Sequence, residues 1–354
     1  MQLPSAAFAF QTAGKPLSCQ EFGSGHINQT LKLETDSGIS YILQRINQYV
    51  FNEPVKLMEN AQAVTDFLRQ KDPDPRHTLY FISALDGKCY HFDEQGEFWR
   101  MYEYVEGVSL DHPETEADLY QSALAFGNFQ ALLADFPADT LHDIIPNFHN
   151  TVDRYRLLRQ SMEADACGRL KEIGPEVEFL MCHEELACTL QRLLEQGQLP
   201  LRVTHNDTKL NNVLLDCKTR EHLCVLDLDT VMPGLSLHDY GDSIRFGAAT
   251  ANSEDSQDTH LDLHLFEVYT RGFLSTATDL TETEKEMLPL STAVITIELA
   301  TRFLKDYLDG DRYFRISYPT QNLDRARGQI ALAADMLVKM DDMRHIVKSI
   351  LAAQ

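Results

Sequence analysis

The chain has 354 residues, 44% hydrophobic and 24% charged, the proportions of a folded protein rather than a disordered one, and its length suits two lobes better than one core. Lys and Arg number 31 against 54 Asp and Glu, a net charge of −23; such a surface repels phosphate backbones and anionic lipid, so no nucleic acid and no membrane partner is expected. The 7 cysteines are odd in number and lack CxxC spacing, which argues against a disulfide framework or zinc site and fits a reducing compartment.

The first residues lack the basic flank and apolar core of a secretory signal. No stretch reads as the apolar run a membrane span needs. The expectation is a cytoplasmic protein, with no obligate protein partner evident. A negative surface still admits a nucleotide, because metal ions and a few local cations offset the field inside a cleft.

In chain order, the segment around Gly23-Ser24-Gly25 reads as a turn ahead of a strand at Ile27–Leu33, with a second strand at Tyr41–Ile46 beyond the turn Asp36-Ser37-Gly38. Val55 to Leu68 has helical periodicity, with Val55, Met58, Ala61, Val64, Thr65 and Leu68 near one face. Strands are expected at Leu79–Ala84, Cys89–Phe92 and Phe98–Val105, the last two joined by the turn Asp93-Glu94-Gln95-Gly96. From about Ala117 the pattern is helical, over Leu119–Phe136, Glu176–Gln196 and Glu282–Asp309; the last opens on a capping box, Thr281 to Glu284. A strand-rich island, Leu201 to Met232, interrupts this half. The fold class read from this layout is α+β and bilobal. A small β-rich N-lobe with one helix covers residues 1–105, a larger helical C-lobe covers 106–354, and a hinge lies near Tyr102–Gly107. Ligands tend to bind between such lobes.

The island carries the chemistry. His205-Asn206-Asp207 is followed by Asn212 five residues after the Asp, and Asp227 ends an apolar strand at Val225-Leu226. Phosphoryl transfer needs a carboxylate to orient and deprotonate a hydroxyl, and hard oxygen ligands for magnesium bridging the phosphates. Asp207, Asn212 and Asp227 supply that set in protein-kinase order. Taken singly, each is an ordinary turn residue; the composite is not. His205 reads as a structural residue that holds the loop.

On the nucleotide side, glycines at 23 and 25 let backbone N–H groups approach phosphate closely, which makes Gly23, Ser24 and Gly25 candidate contacts. His26 faces either phosphate or acceptor, or is a solvent-exposed loop histidine. The lysine that kinases carry on the following strand is replaced by Gln44. Glutamine donates a hydrogen bond to phosphate but brings no charge. Arg45 faces the other side of that strand. Glu103 and Tyr104 lie in the hinge segment, where backbone groups would meet adenine.

These segments, with Ser24 to Asn28, Tyr41 to Gln44, Leu226 to Thr230, Gly241 to Gly247, Arg302 to Leu304, Asp306 to Leu308 and Tyr313-Phe314, resemble the aminoglycoside-phosphotransferase-like kinases, whose fold is protein-kinase-like. Within them the chain is most similar to the N-acetylhexosamine 1-kinases, over nearly its whole length. The resemblance implies ATP as phosphoryl donor, Mg2+ as cofactor, and a small-molecule sugar, GlcNAc or GalNAc, phosphorylated at its anomeric hydroxyl. It assigns Asp207 as base, Asn212 and Asp227 as metal ligands, and Asp207, His26, Asp229, Thr230, Phe246, Arg302 and Tyr313 as acceptor contacts. Read without it, Arg302 is a salt-bridge partner of Glu298 or Asp306, one helical turn away. Asp239 and Asp242 brace the catalytic loop, with Asp242 pairing Arg245. Two alternatives stay open: the same chemistry on choline, homoserine, a thiosugar or an aminoglycoside, and a pseudokinase, for which Gln44 is the sole support.

Overall fold

The computed structural model describes residues 3–23, 27–251 and 253–354, and the fold is mixed α+β as expected. The chain opens with the strands β1 (Pro16–Glu21), β2 (Gln29–Thr35) and β3 (Ser40–Ile46), the helix α1 (Pro54–Lys71), and the strands β4 (His91–Phe92) and β5 (Phe98–Glu103). The five strands form one antiparallel sheet in the order β1-β2-β3-β5-β4. Alternation does the sorting: Leu31 and Leu33 on β2, Tyr41 and Leu43 on β3, and Trp99 and Met101 on β5 turn into one core with Ala6, Ala7 and Phe10. Helix α1 starts on Pro54, which supplies its fixed φ where no N–H is needed, and it buries Leu57, Met58, Ala61, Val64 and Leu68.

The chain then enters a helical unit through α2 (Glu116–Leu132), α3 (Thr151–Ala164), the short α4 (Gly174–Cys182), α5 (Glu184–Ala187) and α6 (Thr189–Glu195), and strand β6 (Arg202–Thr204). It leaves that unit for the hairpin β7 (Val213–Leu215) and β8 (His222–Val225). It returns for α7 (Ser236–Gly247), α8 (Leu263–Thr276), α9 (Glu282–Leu308), α10 (Gln321–Val338) and α11 (Met340–Ala353).

The division is therefore not a single cut near residue 105. The first unit takes Met1–Ser109, Asp135–Ile144 and Val213–Pro233; the second takes Leu110–Ala134, Ile145–Asn212 and Gly234–Gln354. One buried amide explains much of this. Asn60 on α1 donates to the carbonyls of His142 (2.8 Å) and Val231 (2.9 Å) and accepts the His142 N–H (2.8 Å). Both distant segments are thereby bound to the sheet unit, and every hydrogen-bonding group of that side chain is used. The hairpin is fastened separately: Val108 and Leu215 exchange both backbone hydrogen bonds, at 2.8 and 2.9 Å. Gly107 makes that approach possible, since a Cβ there would lie 2.4 Å from Leu214 Cγ and 2.8 Å from the Leu215 carbonyl oxygen.

Some expected elements are shorter or broken. Leu79–Ala84 is not a strand. The outer edge of β5 is shared, with β4 taking Phe98 and Trp99 and Phe81 alone bridging to Tyr102. Of Cys89–Phe92 only His91–Phe92 pairs. The single helix expected over Glu176–Gln196 is interrupted at His183, whose ring Nδ1 and backbone N–H both meet the Phe179 carbonyl, at 2.8 and 3.2 Å, and again at Cys188.

The helical unit is organised on α9, which packs against α10, α7 and α3. By length and composition α9 passes as a membrane span, contrary to the expectation from sequence; 78% of its most apolar window is buried within the protein, as the central helix of this core. Helix α7 lies close against it at Gly241, where a Cβ would come 2.6 Å from the Ser291 carbonyl oxygen. The capping box forms as expected. Thr281 Oγ1 accepts the Glu284 N–H at 3.2 Å and Glu284 Oε2 accepts the Thr281 N–H at 2.8 Å. Glu284 also receives Arg202 from β6 (2.6 and 2.7 Å) and Ser236 at the start of α7 (2.7 Å). Burial works against its charge, but Arg202, Ser236 and the Thr281 N–H together hold the carboxyl below the usual range.

Breaking this pair leaves Arg202 buried without its carboxylate. Glu284→Ala is expected to lower the unfolding free energy by about 3–5 kcal/mol, read as a shift in denaturant midpoint at constant slope. Because the folded-state pKa is depressed, the contribution is complete above the unfolded carboxylate value and disappears as pH falls through the folded one. The gap between wild type and variant should therefore close on acidification, and a gap that widens would contradict the assignment.

Candidate active site

In the helical unit the loop after β6 is built around one carboxylate. Asp239, buried on α7, accepts the N–H of His205 and of Asn206, each at 2.8 Å, and Gln130 Nε2 from α2 at 2.8 Å. Its own carbonyl receives Thr208 Oγ1 at 2.7 Å, and Ser243 Oγ donates to the Thr208 carbonyl at 3.1 Å. Burial pushes the Asp239 carboxyl up, against the pull of His205 and the two N–H groups. His205 is fully buried with its ring edge-on to Phe126 and Phe129. Asn206 takes a left-handed φ of 64°, a conformation Asn tolerates better than most residues. The turn so made carries Asp207 outward.

Asp207 is half-buried in this loop, with 32% of its side chain accessible. Its Oδ1 lies 3.1 Å from Lys209 Nζ, and its Oδ2 accepts Asn212 Nδ2 at 3.1 Å. The same Nδ2 donates to the Asp207 carbonyl at 2.8 Å. The amide nitrogen of Asn212 is thus committed, which leaves its carbonyl oxygen as the atom for a hard cation. Lys209 is a residue that the sequence reading passed over, although it stands inside the motif. Burial works against its ammonium, but Asp207, Asp242 and Glu254 outweigh this and hold its pKa above the usual lysine range.

Phe246 lies in contact with this loop through Lys209, whose Nζ is 5.1 Å from the ring centroid; the Arg245 guanidinium covers the ring at 4.1 Å. Arg245 is paired with Asp242 and Glu254, both at 2.9 Å. Lys209, Phe246 and Glu254, with Asp111, Ser122 and Tyr269, line a pocket of about 270 Å³.

Arg302 and Tyr313 form a second group in the same unit. The Arg302 guanidinium stands among three rings, 4.9 Å from Phe148, 5.6 Å from Phe314 and 6.0 Å from Tyr313. Glu298, one turn back on α9, approaches it at 3.9 Å and pairs more tightly with His149 Nδ1, at 3.1 Å. Although burial raises the Glu298 carboxyl, His149, Arg302 and Arg154 outweigh it and bring it down to about 2. Asp306 is turned elsewhere: its carboxylate accepts the N–H groups of Arg312 (3.0 Å), Tyr313 (2.8 Å) and Phe314 (2.9 Å), and Asn322 Nδ2 (2.9 Å). That grip holds the backbone of a loop whose Tyr313 side chain is 67% exposed.

The sheet unit carries the remaining candidates. Gly23 has a φ of +78° and an open neighbourhood; Ser24, Gly25 and His26 lie outside the described residues. Gln44 on β3 donates through Nε2 to Thr30 Oγ1 at 3.0 Å and accepts Arg100 Nε at 2.9 Å. Arg45 faces the other way, 3.5 Å from Glu97. The N–H groups of Glu103 and Tyr104 are taken by the carbonyls of Tyr80 (3.0 Å) and Ser40 (3.1 Å). Tyr104 packs edge-on to Phe22 at 5.6 Å and under Lys32 Nζ at 3.7 Å. Asp227 follows β8 with a left-handed φ of 55° and is exposed, Thr230 is half-buried, and Asp229 between them is buried. The Asp229 carboxylate meets Arg100 Nη1 at 2.5 Å and Asn28 Nδ2 at 2.6 Å. Glu59 pairs with His142 at 2.8 Å on the surface.

Among the described residues no group of three or more His, Cys, Asp or Glu side chains is placed to cage a metal. A magnesium ion held by one or two protein oxygens together with phosphate oxygens needs no such cage, and the oxygens of Asn212 and Asp227 are donors of the right hardness.

Comparison with known proteins identifies the group. A family model described as the phosphotransferase enzyme family matches residues 18–272. A microcompartment-associated aminopropanol kinase superposes with a TM-score of 0.66 at 19% identity, over 91% of this chain and 93% of its own. An aminoglycoside phosphotransferase from Alicyclobacillus acidocaldarius gives 0.61 at 16%, over 99% and 97%. A choline kinase from Cryptosporidium parvum gives 0.52 at 14%, over 94% and 91%. At such identities the likeness is one of fold; the family match covers well over half the chain, and this protein belongs to the phosphotransferase enzyme family.

Proposed function

We propose that this phosphotransferase moves the γ-phosphate of ATP to the anomeric hydroxyl of an N-acetylhexosamine, GlcNAc or GalNAc. The observation that carries the reading is the state of Asp207. It is an accessible carboxylate on a braced loop, gripped by Lys209 on one oxygen and Asn212 on the other. A base so oriented meets an acceptor hydroxyl in one direction and takes its proton as the bond to phosphorus forms. Asn212 and Asp227 would hold Mg2+, which when bound with the nucleotide offsets the charge of the phosphates. Gly23, Ser24, Gly25, Gln44, Glu103 and Tyr104 would meet the nucleotide. Phe246, Arg302, Tyr313, Asp229, Thr230 and His26 would serve the acceptor.

The acceptor assignment draws on one further feature. A quaternary or primary amine is recognised by an aromatic cage or by carboxylates. The aromatic group of Phe148, Tyr313 and Phe314 already surrounds a cation of the protein itself, Arg302. Arg302 carries donors only, which suits the hydroxyl and amide oxygens of a neutral sugar and repels an ammonium. This favours an N-acetylhexosamine over the amino alcohols named for several structural neighbours.

Three outcomes are expected. Asp207→Ala retains its melting temperature and loses turnover by about 10²–10⁴-fold, measured by ADP release; a variant with near-normal turnover would remove Asp207 from the chemistry. Across a panel of hexosamines and amino alcohols, ATP consumption is expected with N-acetylhexosamines, and phosphorus NMR should show an anomeric phosphate. Phosphate at C6, or turnover on amines alone, sinks the acceptor assignment. Arg302→Ala should raise the acceptor KM about tenfold or more while leaving the ATP KM nearly unchanged.

A further inference from the structure

Kinases commonly carry a lysine on the third strand of this sheet, and its ammonium meets the nucleotide phosphates. Here Gln44 occupies that strand position, and a neutral amide stabilises developing negative charge less well than a cation does. Directly opposite Gln44 in the β3–β5 register stands Arg100. Its side chain is 3% exposed on the sheet face away from Trp99 and Met101, with Met58 Sδ 3.8 Å from its Nη1 and the Phe81 ring 5.9 Å from its guanidinium carbon. A guanidinium in such a layer is costly to bury, and an apolar residue of similar size would avoid that cost.

The polar contacts show what the charge is attached to. Arg100 Nε donates to Gln44 Oε1 at 2.9 Å, and Arg100 Nη1 meets Asp229 Oδ1 at 2.5 Å. Asp229 Oδ2 accepts Asn28 Nδ2 at 2.6 Å, and Asn28 Oδ1 accepts the Asn47 N–H at 2.9 Å. One row thus runs from Thr30 through Gln44 and Arg100 to the turn that holds Asp227, Asp229 and Thr230.

We propose that Arg100 supplies the cation that Gln44 lacks, as a positioning residue that fixes the Asp227 turn through Asp229 and polarises the Gln44 amide toward the nucleotide phosphates. The proposal rests on the reading of Gln44 as a nucleotide contact and Asp227 as a metal ligand. Gln44 Nε2 has two hydrogens, and Thr30 takes one. A charged donor on Oε1 draws electron density from the amide and makes the second hydrogen a stronger donor. Asp227 holds a left-handed backbone that its surroundings must enforce, and the anchored carboxylate two residues on provides that restraint.

The test compares wild type with Arg100→Met, Arg100→Gln, Arg100→Lys and the double variant Arg100→Met/Gln44→Lys. Calorimetric binding of Mg·ADP, thermal unfolding and steady-state kinetics are read on each. Arg100→Met keeps an apolar stem and removes the charge; it is expected to bind Mg·ADP about 10- to 100-fold more weakly, with the ATP KM raised by more than the acceptor KM. The double variant, which returns a cation to β3, should regain about tenfold in nucleotide affinity. A folded Arg100→Met with wild-type affinity, or a double variant no better than the single one, overturns the proposal. If Arg100→Met does not fold, Arg100→Gln decides, since it keeps a polar side chain and loses the charge: reduced Mg·ADP affinity supports the proposal, and wild-type affinity overturns it; Arg100→Lys, which keeps the charge, is expected to bind more tightly than Arg100→Gln. A wild-type protein that binds no Mg·ADP fails at the parent reading, an outcome distinct from normal binding with indifferent variants.

Discussion

One buried carboxylate, that of Asp239, sustains the chemical end of the helical unit. Its two oxygens meet consecutive backbone N–H groups at His205 and Asn206 and a side-chain amide from α2. Without it those N–H groups would lose their carboxylate acceptor inside the core, and the left-handed step at Asn206 would lose its main-chain anchor. Everything that makes Asp207 usable follows from that arrangement. The loop leaves the core at a fixed point, turns once, and delivers the next residue to solvent with its neighbours Lys209 and Asn212 on either side. Asp239 is itself held because α7 can lie against α9 at Gly241, so the loop inherits the rigidity of the longest helix in the chain.

A chain with a charge of −23 has few cations to spare, and the structure places several of them where the chemistry is expected. Lys209 faces Asp207, Arg302 stands in an aromatic ring near Glu298, and Arg100 is sunk in the sheet against Asp229. Each is answered by a carboxylate at once, which lets a cation persist under cover without an isolated charge. The strongly acidic exterior and these local pairs are compatible because burial and short range decide the second, while solvent screens the first.

Much of the architecture was readable because its signals are local. The capping box at Thr281, the spacing from Asp207 to Asn212, and the alternation of β2 and β3 are each fixed within a few residues. Asp207 and Asn212 touch because five residues in a tight turn return the chain on itself. What sequence left hidden depends on pairing across distance. Arg100 looks like one polar residue in an apolar strand until register sets it opposite Gln44, 56 positions earlier. The recruitment of residues 135–144 and 213–233 to the sheet unit turns on a single asparagine, Asn60, whose neighbours in sequence say nothing of His142 or Val231. The break at His183 comes where a ring nitrogen shares a carbonyl with the helical ladder, which periodicity does not register. Lys209 was visible and given no role, because motif reading weighed the carboxylates and the amide and not the charge between them.

The carboxylate of Asp306 gathers three amides in succession, from Arg312 to Phe314. The backbone there is shaped when the protein folds, not when a ligand arrives, so little ordering remains to oppose binding. It also separates path from side chain. The exposed residues at 312 and 313 can be exchanged for others without moving the main chain, because the anchor grips peptide N–H groups common to nearly all of them. If Tyr313 serves the acceptor as proposed, such a protein can change what it selects by small steps while its scaffold stays still, and this short loop is a natural place for new preferences to evolve.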